Sequence, residues 1–218
     1  MLWIQSEKIN TALGNKLFNQ ARSLARTALR TADGKPIHWT DLAGVHVIAG
    51  DLLQAEQTLS EAITRFDLPH LYSFRAYVRH AGKRYDSALE DLKEAERRAP
   101  DDTSIQNNLA AALMDRGRNE ESAAYLQKVL KKNPDHLDAL SNLSAIYSRL
   151  KHHGEAIKLT RRRLELKPDN AEAYLTLLDQ LRSAGLLTQF KEVFDLDRAK
   201  SAFEQAQRFE TFNALTFV

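Results

Sequence analysis

Three prolines, each followed by an aspartate, recur at equal intervals along the chain. They are Pro100, Pro134 and Pro168, in the segments ERRAPD, LKKNPD and LELKPD. Proline interrupts a helix interior but is common just beyond a helix end. A helix-ending proline at a constant interval therefore predicts one structural repeat copied along the chain.

Each repeat also carries two stripes of mostly apolar side chains at helical spacing, separated by a turn. In the repeat that begins at Pro36, the stripes hold Trp39, Leu42, Ala43 and His46 before Gly50, and Ala55, Leu59 and Ala62 after it. Similar stripes follow in three later repeats. The last of these departs from the pattern, with Lys151 where the turn glycine is expected and Arg163 where alanine is expected.

This pattern resembles the tetratricopeptide repeat (TPR), a pair of antiparallel helices of about 34 residues with the pattern W-x2-L-G-x2-Y, then A, F, A and P. The resemblance implies an all-α fold: an α-solenoid of stacked antiparallel helix pairs, a TPR-like superhelix, with a C-terminal capping helix. We expect a single solenoid domain over residues 1–218. Its segments are a degenerate repeat at 2–35, repeats at 36–68, 69–102, 103–136 and 137–170, a partial repeat at 171–194, and a capping helix with an apolar tail at 195–218.

The composition argues against several classes of function. Basic and acidic residues number 31 and 29, so the net charge of +2 lacks the basic surplus that nucleic-acid binding favours. Without cysteine, disulfides and thiolate metal sites are excluded, which suits a reducing compartment. The sequence shows no signal-peptide pattern and no apolar run of the roughly 20 residues that span a bilayer. We expect a cytoplasmic protein with no nucleic-acid and no membrane partner.

No residue pattern indicates catalysis. His152 and His153 are adjacent and would point apart on a helix, which favours a solvated turn over a metal site. His46 stands where the repeat usually has tyrosine, so we expect a packed core residue. The basic run at 161–163, joined by Lys158 and Lys167, suits a phosphate or an acidic partner, although helical spacing points its members in several directions. We predict no catalytic residue, no metal and no cofactor, and hence no enzyme.

The resemblance also implies where a partner would bind. In this family the first helix of each repeat lines a concave surface that holds extended peptides and partner helices. Asn108 and Asn142 share one repeat position, and an amide both donates to and accepts from a peptide backbone. The pair is similar to the asparagine ladder in the repeats of protein O-GlcNAc transferases. The alternative is asparagines that face solvent or bond to a neighbouring repeat.

The equivalent positions elsewhere hold Asp41, Ser73 and Thr176. The predicted peptide-binding groove comprises Tyr72, Arg79, His80, Asn107, Asn108, Asp115, Asn142, Arg149, Asp179 and Arg182. Its mixed charge argues against a strongly acidic or strongly basic ligand.

Another variant of the family holds the C-terminal carboxylate of heat-shock chaperones with a clamp of lysines, arginine and asparagines. The corresponding positions here are Asn107, Ala111, Asn142, Glu172 and Thr176. Because the basic members of the clamp are missing, we expect no such co-chaperone role.

The primary prediction is a protein–protein interaction scaffold that binds an extended peptide or a helix of a partner in its groove. The alternative is the substrate-recruiting TPR arm of a larger enzyme, such as a protein glycosyltransferase. The apolar tail FETFNALTFV, at 209–218, is expected to dock on the last helices of its own chain. Docking on a neighbouring molecule would instead give self-association, and a linker to a further domain is the third interpretation.

Overall fold

The computed structural model describes residues 8–9, 18–31, 34–186, 199–201 and 204. Ten α-helices account for most of these residues and no β-strand occurs among them, which confirms the all-α class. The helices are α1 (Phe18–Thr31), α2 (Pro36–Ile48), α3 (Leu52–Phe66), α4 (Pro69–Ala81), α5 (Tyr85–Arg98), α6 (Thr103–Asp115), α7 (Asn119–Lys132), α8 (Leu137–Arg149), α9 (His153–Leu166) and α10 (Ala171–Ser183).

The chain forms two compact units, Met1–Ala112 and Leu113–Val218, which we name unit 1 and unit 2. Helices α1 to α5 lie in unit 1 and helices α7 to α10 lie in unit 2, while the boundary falls within α6. Each unit has its own buried clusters of apolar side chains.

The prolines mark helix ends, as their interval predicts. Helices α5, α7 and α9 each end two residues before Pro100, Pro134 and Pro168, respectively. Pro36 and Pro69 are instead the first residues of α2 and α4. Proline is favoured at that position because the N–H that it lacks would have no partner inside the helix.

The turn that follows the first helix of each repeat contains one residue with a left-handed backbone. Gly50, Gly117 and Gly185 take this role with φ of 79°, 73° and 70°. In the other two turns Lys83 and Lys151 take it, with φ of 60° and 61°. The glycine predicted from the repeat therefore has its expected conformation in three turns, and a lysine adopts that conformation in two.

In unit 1 the core lies where small residues allow neighbouring helices to approach. Ala43 of α2, Ala55 and Ala62 of α3, and Phe74 of α4 are all fully buried in one cluster. Trp39 packs against this cluster, and its indole N–H donates to the carbonyl of Gly34 at 3.1 Å. The alternation of small and large side chains is what stacked helix pairs need to bury their apolar stripes.

A second cluster in unit 1 joins α1 to α2. It contains Ile9, Ala21, Ala25, Leu42 and Val45, all buried. Residues 2–7, 10–17 and 32–33 of the predicted degenerate repeat at 2–35 lie outside the described residues.

In unit 2 the apolar face of α10 packs against α9. Tyr174, Leu177 and Leu181 of α10 are buried together with Ile157 and Leu164 of α9. Residues 199–201 are helical, and Ala199 belongs to the same cluster. The rest of the predicted capping helix, the second helix of the partial repeat and the apolar tail at 209–218 lie outside the described residues.

Candidate protein-binding face

A buried polar network holds α8, α9 and α10 together in unit 2. The side-chain amide of Gln180, which is 4% exposed, donates to the hydroxyl oxygens of Ser144 at 2.7 Å and Ser148 at 3.0 Å. The Ser144 hydroxyl also lies 2.7 Å from the hydroxyl of Thr160 on α9. Polar groups bonded in this way inside a protein restrict how the helices can move against each other. The network therefore fixes α8 beside α10.

The two helices display polar side chains toward solvent at matching repeat positions. We name this surface the first-helix face; it consists of Asp138, Asn142 and Arg149 on α8, and Glu172, Thr176, Asp179 and Arg182 on α10, all exposed or half-buried. Asp138 and Glu172 are one repeat length apart, as are Asn142 and Thr176. Because α8 and α10 are adjacent, these matching side chains form two rows across the face.

The face carries opposite charges at its two edges. Asp138 and Glu172 lie in the first turns of α8 and α10, whereas Arg149 and Arg182 lie in the last turns. This arrangement complements the helix dipoles and leaves an acidic edge and a basic edge, with Asn142, Thr176 and the carboxylate of Asp179 between them. The contact between Arg182 and Asp179 is 4.0 Å long and exposed, so both charges stay available to a partner.

Two of the predicted groove residues in unit 1 are held by partners inside that unit. The first is Tyr72, whose hydroxyl donates to Asp67 at 2.7 Å, while the guanidinium of Arg98 lies 4.3 Å from the centre of its ring. Burial raises the pKa of Tyr72, and the bond to Asp67 adds to that shift. Tyr72 thus connects the start of α4 with the end of α5.

The second is Arg79, which belongs to an ion-pair network between α3, α4 and α5. Its guanidinium lies 2.8 Å from the carboxylate of Glu56 and 2.9 Å from that of Asp91. Burial acts to raise the pKa of Glu56, but hydrogen bonds from Arg79 and Arg84 outweigh burial and hold the pKa below its usual value. The carboxylate stays charged and anchors Arg79. The sequence did not reveal this network, because its members are far apart in the chain and lie on three helices.

The other predicted groove residues are distributed over both units. His80 is exposed, with its ring edge-on to Tyr85 at 5.1 Å. Asn107 is 6% exposed and Asn108 is half-buried, both on α6 in unit 1. Asp115, the last residue of α6, is exposed. The role of Asn108 and Asn142 as a ladder for a peptide backbone stays a prediction.

The first helix of the first complete repeat is covered on all sides. Residues 40–46 of α2 are all buried, including Asp41, which is 3% exposed. Seven consecutive buried residues span almost two helical turns, so no side of α2 faces solvent along residues 40–46. The repeat position that Asn142 and Thr176 present on unit 2 is thus buried on α2.

His46 is packed in the interior, as the sequence predicts. His46 is 2% exposed and lies in α2, which confirms it as a packed residue. Within the described ranges, no three His, Asp or Glu side chains gather in a way that would hold a metal ion. None of the described helices has the length and apolar character needed to cross a membrane.

The sequence matches two family models described as tetratricopeptide repeat. One matches residues 113–181 and the other matches 49–103 and 74–136. Together they cover more than half of the chain, so the chain belongs to the tetratricopeptide repeat family. Repeats of this family support protein–protein interaction.

Similar proteins extend this result to the fold. The structure of pilF from Pseudomonas aeruginosa has a TM-score of 0.70 at 17% identity, over 92% of this chain and 88% of that one. YrrB, described as a TPR protein with an unusual peptide-binding site, has a TM-score of 0.58 at 18% identity, over 76% and 86%. These likenesses confirm the α-solenoid class.

A curated relative matches a shorter stretch. The human Protein O-mannosyl-transferase TMTC1 is 29% identical over 115 residues, which make up 51% of this chain. The matched stretch is only 13% of the length of that human protein.

Proposed function

We propose that the chain is a non-catalytic protein-binding module that holds an extended segment or a helix of a partner protein on the first-helix face of α8 and α10. The observation that carries this proposal is the pair of solvent-facing rows on two helices that the Gln180 network fixes side by side. A rigid, preorganised surface binds a peptide at a lower entropic cost than one that must order on contact. A cytoplasmic location, suggested by the absence of cysteine, is part of this proposal.

The first-helix face offers a peptide both backbone and side-chain recognition. Asn142 can donate to a peptide carbonyl and accept from a peptide N–H. The acidic edge at Asp138 and Glu172 and the basic edge at Arg149 and Arg182 favour a ligand with the complementary charges on its two sides.

The test first selects a peptide ligand and then identifies the surface to which the peptide binds. Peptides are selected from a random-sequence display library on the wild-type protein, and the affinity of the best peptide is measured by fluorescence anisotropy. The double variant Thr176→Ala/Arg149→Ala removes one hydroxyl and one charge from the face. We expect its dissociation constant to rise about tenfold, which corresponds to about 1.4 kcal/mol.

The matched control is the double variant Thr64→Ala/Arg97→Ala, which removes the same groups from exposed positions on second helices. Thr64 and Thr176 each donate to the carbonyl four residues earlier, at 3.0 and 2.9 Å, so the two threonine changes are equivalent within their helices. The control should keep the wild-type affinity. Equal losses in both double variants would reject the first-helix face as the binding surface.

The likeness to a protein O-mannosyl-transferase favours a second candidate, in which these repeats recruit the substrate of a larger enzyme. The natural protein would then contain a catalytic part beyond the present sequence. Intact mass spectrometry of the protein purified from its native cells tests this. A mass well above the 24.7 kDa of these 218 residues is expected if the second candidate is correct, and a mass of 24.7 kDa would reject it.

A further inference from the structure

Unit 2 carries a cluster of cations on the sides of α7 and α9 that face away from the core. We name it the basic face, and it consists of Lys128, Lys131, Lys158, Arg161 and Arg162, all exposed. The buried residues of α7 are Ser122, Ala123, Leu126 and Val129, and those of α9 are Ala156, Ile157, Thr160, Arg163 and Leu164. At helical spacing four of the five cations fall opposite these buried stripes, and Arg161 lies at the flank of the α9 stripe.

An ion pair joins α9 to the segment that follows α7. The guanidinium of Arg162 lies 2.7 Å from the carboxylate of Asp135, which follows the end of α7, and 2.8 Å from that of Glu165. The end of α7 is therefore beside the second half of α9. These two carboxylates are both bonded to Arg162, and the other exposed acids of the two helices, Glu120, Glu121 and Glu155, lie in the first turns, ahead of the cations.

The helix dipole accounts for only one of these cations, Lys131, which lies in the last turn of α7. Basic residues in the last turn of a helix offset its negative end, an effect that fades within that turn. Lys128 precedes the last turn of α7, and Lys158, Arg161 and Arg162 precede the last turn of α9. The positive charge of these four residues therefore needs another explanation.

Unit 1 does not repeat the full set of cations that forms the basic face of unit 2. Lys128 and Arg162 share one repeat position, and one repeat length before Lys128 the same position holds Glu94 on α5. The position of Lys158 is likewise held by Glu90, two repeat lengths earlier. Unit 1 thus carries glutamates at three of the five positions, whereas the positions of Lys131 and Arg161 hold the cations Arg97 and Lys93 there.

We propose that the basic face binds an acidic segment of a partner protein, at a surface separate from the first-helix face. Only one aromatic ring lies beside these cations on α7 and α9, the half-buried Tyr125 one turn before Lys128, whereas binding of single-stranded nucleic acid uses successive stacking rings. The large apolar side chains that are exposed in the described part of the chain are Ile48, Leu53, Tyr77 and Leu137, none of them on α7 or α9, so the face lacks groups that would insert into a lipid surface. Separate cations interrupted by Asp135 and Glu165 suit the discrete carboxylates of a peptide.

The probe is a fluorescein-labelled decaglutamate peptide, with decaglutamine as the neutral comparison, and binding is followed by anisotropy. We expect the acidic probe to bind the wild-type protein and to bind more weakly as salt rises. The double variant Lys128→Glu/Arg161→Glu should weaken binding by about tenfold or more, because it reverses the local field. The first-helix variant Thr176→Ala/Arg149→Ala should keep wild-type binding of this probe, so failure here is distinct from failure of the proposed function.

The matched control is Lys93→Glu/Arg97→Glu on α5, which makes the same change in net charge at exposed positions in unit 1. It should change the affinity less than about twofold if the site is local. Equal weakening by the control, or equal binding of decaglutamine, would overturn the proposal, and circular dichroism verifies that each variant is folded. Tighter binding to duplex DNA or to phosphatidylserine vesicles at equal anionic charge would assign the face to another class of partner. A wild-type dimer that the Lys128→Glu/Arg161→Glu variant loses in light scattering would assign it to a second copy.

Discussion

Arg75 shows how one residue can depart from the repeat pattern without disturbing the fold. It occupies the position at which Ala43 and Ala110 allow close helix packing in neighbouring repeats. Its guanidinium bonds both carboxylate oxygens of Asp91, at 3.0 and 2.6 Å, and donates to the hydroxyl of Ser60 at 3.0 Å. A long side chain is tolerated here because α3 and α5 supply partners for its charge.

Removing the charge of Asp91 should destabilise unit 1 strongly. Asp91 is 3% exposed and neutralises both Arg75 and Arg79, so Asp91→Asn leaves two partly buried cations poorly paired. We expect the free energy of unfolding in urea to fall by about 3 kcal/mol. Glu90→Gln, the exposed neighbour on the same helix, is the control and should change it by less than about 0.5 kcal/mol. A similar loss of stability in both variants would show that the buried ion-pair network contributes no more than an exposed carboxylate.

His46 should make stability depend on pH. Burial lowers its pKa from the ordinary value of 6.5, Arg22 and Arg26 lower it further, and Asp51 opposes them. As pH falls through 6.5, the unfolded chain takes up a proton that folded His46 resists, so the free energy of unfolding decreases. We expect His46→Gln to reduce this decrease between about pH 7.5 and pH 5, measured by urea titration. The pKa of His70 is also lowered by burial, but His70 is present in both the wild-type protein and the His46→Gln variant. Its contribution to the pH dependence is therefore the same in both. Identical pH slopes would contradict the assignment to His46.

At the scale of helices and turns, local chemistry made most boundaries predictable. Proline at Pro100, Pro134 and Pro168 ends a helix because of its own ring and its missing N–H, whatever lies elsewhere in the fold. The turn at Lys151 was less predictable, since no feature of the lysine itself favours a left-handed backbone. There, the adjoining helices α8 and α9 determine the conformation of the residue between them.

Replacing Lys151 with glycine should therefore stabilise the protein. Lys151 has φ of 61°, a conformation that glycine adopts without steric cost. We expect the free energy of unfolding to rise by about 1 kcal/mol, less than the full cost of the left-handed conformation because glycine also loosens the unfolded chain. The opposite change, Gly117→Ala, places a side chain at φ of 73° and should lower the free energy of unfolding. The cause would be the backbone conformation alone, because no atom lies within 4 Å of the added carbon. Destabilisation by Lys151→Gly in thermal or urea unfolding would contradict this reasoning.

At the scale of the whole molecule, the repeat predicted the class of fold but not which surfaces stay open. The constant interval between the prolines and the two apolar stripes were enough to predict an all-α solenoid, because stacked copies must bury identical faces. The sequence did not show that residues 40–46 of α2 are covered, since Ile9 and Ala21 pack there from outside the complete repeats. Nor did it show that Tyr72 and Arg79 bond within unit 1, because their partners lie in other helices. The resemblance had placed Asn142, Arg149, Asp179 and Arg182 of the first-helix face in the predicted groove, but their exposure became visible only from the structure.

The packing of each helix pair against its neighbours also predicts which helices unfold locally. In repeat proteins each helix pair contacts only adjacent pairs, so a local defect loosens its neighbourhood before the rest. Asp91→Asn in unit 1 and Leu177→Ala in unit 2, where Leu177 is 2% exposed, place comparable defects in separate units. We expect native-state hydrogen exchange, read by mass spectrometry, to show faster exchange in α3–α5 for the first variant and in α9–α10 for the second. Each variant is the control for the other, because the remaining unit should keep its wild-type exchange rates. A uniform acceleration across all helices in either variant would mean that the two units unfold as a single cooperative body.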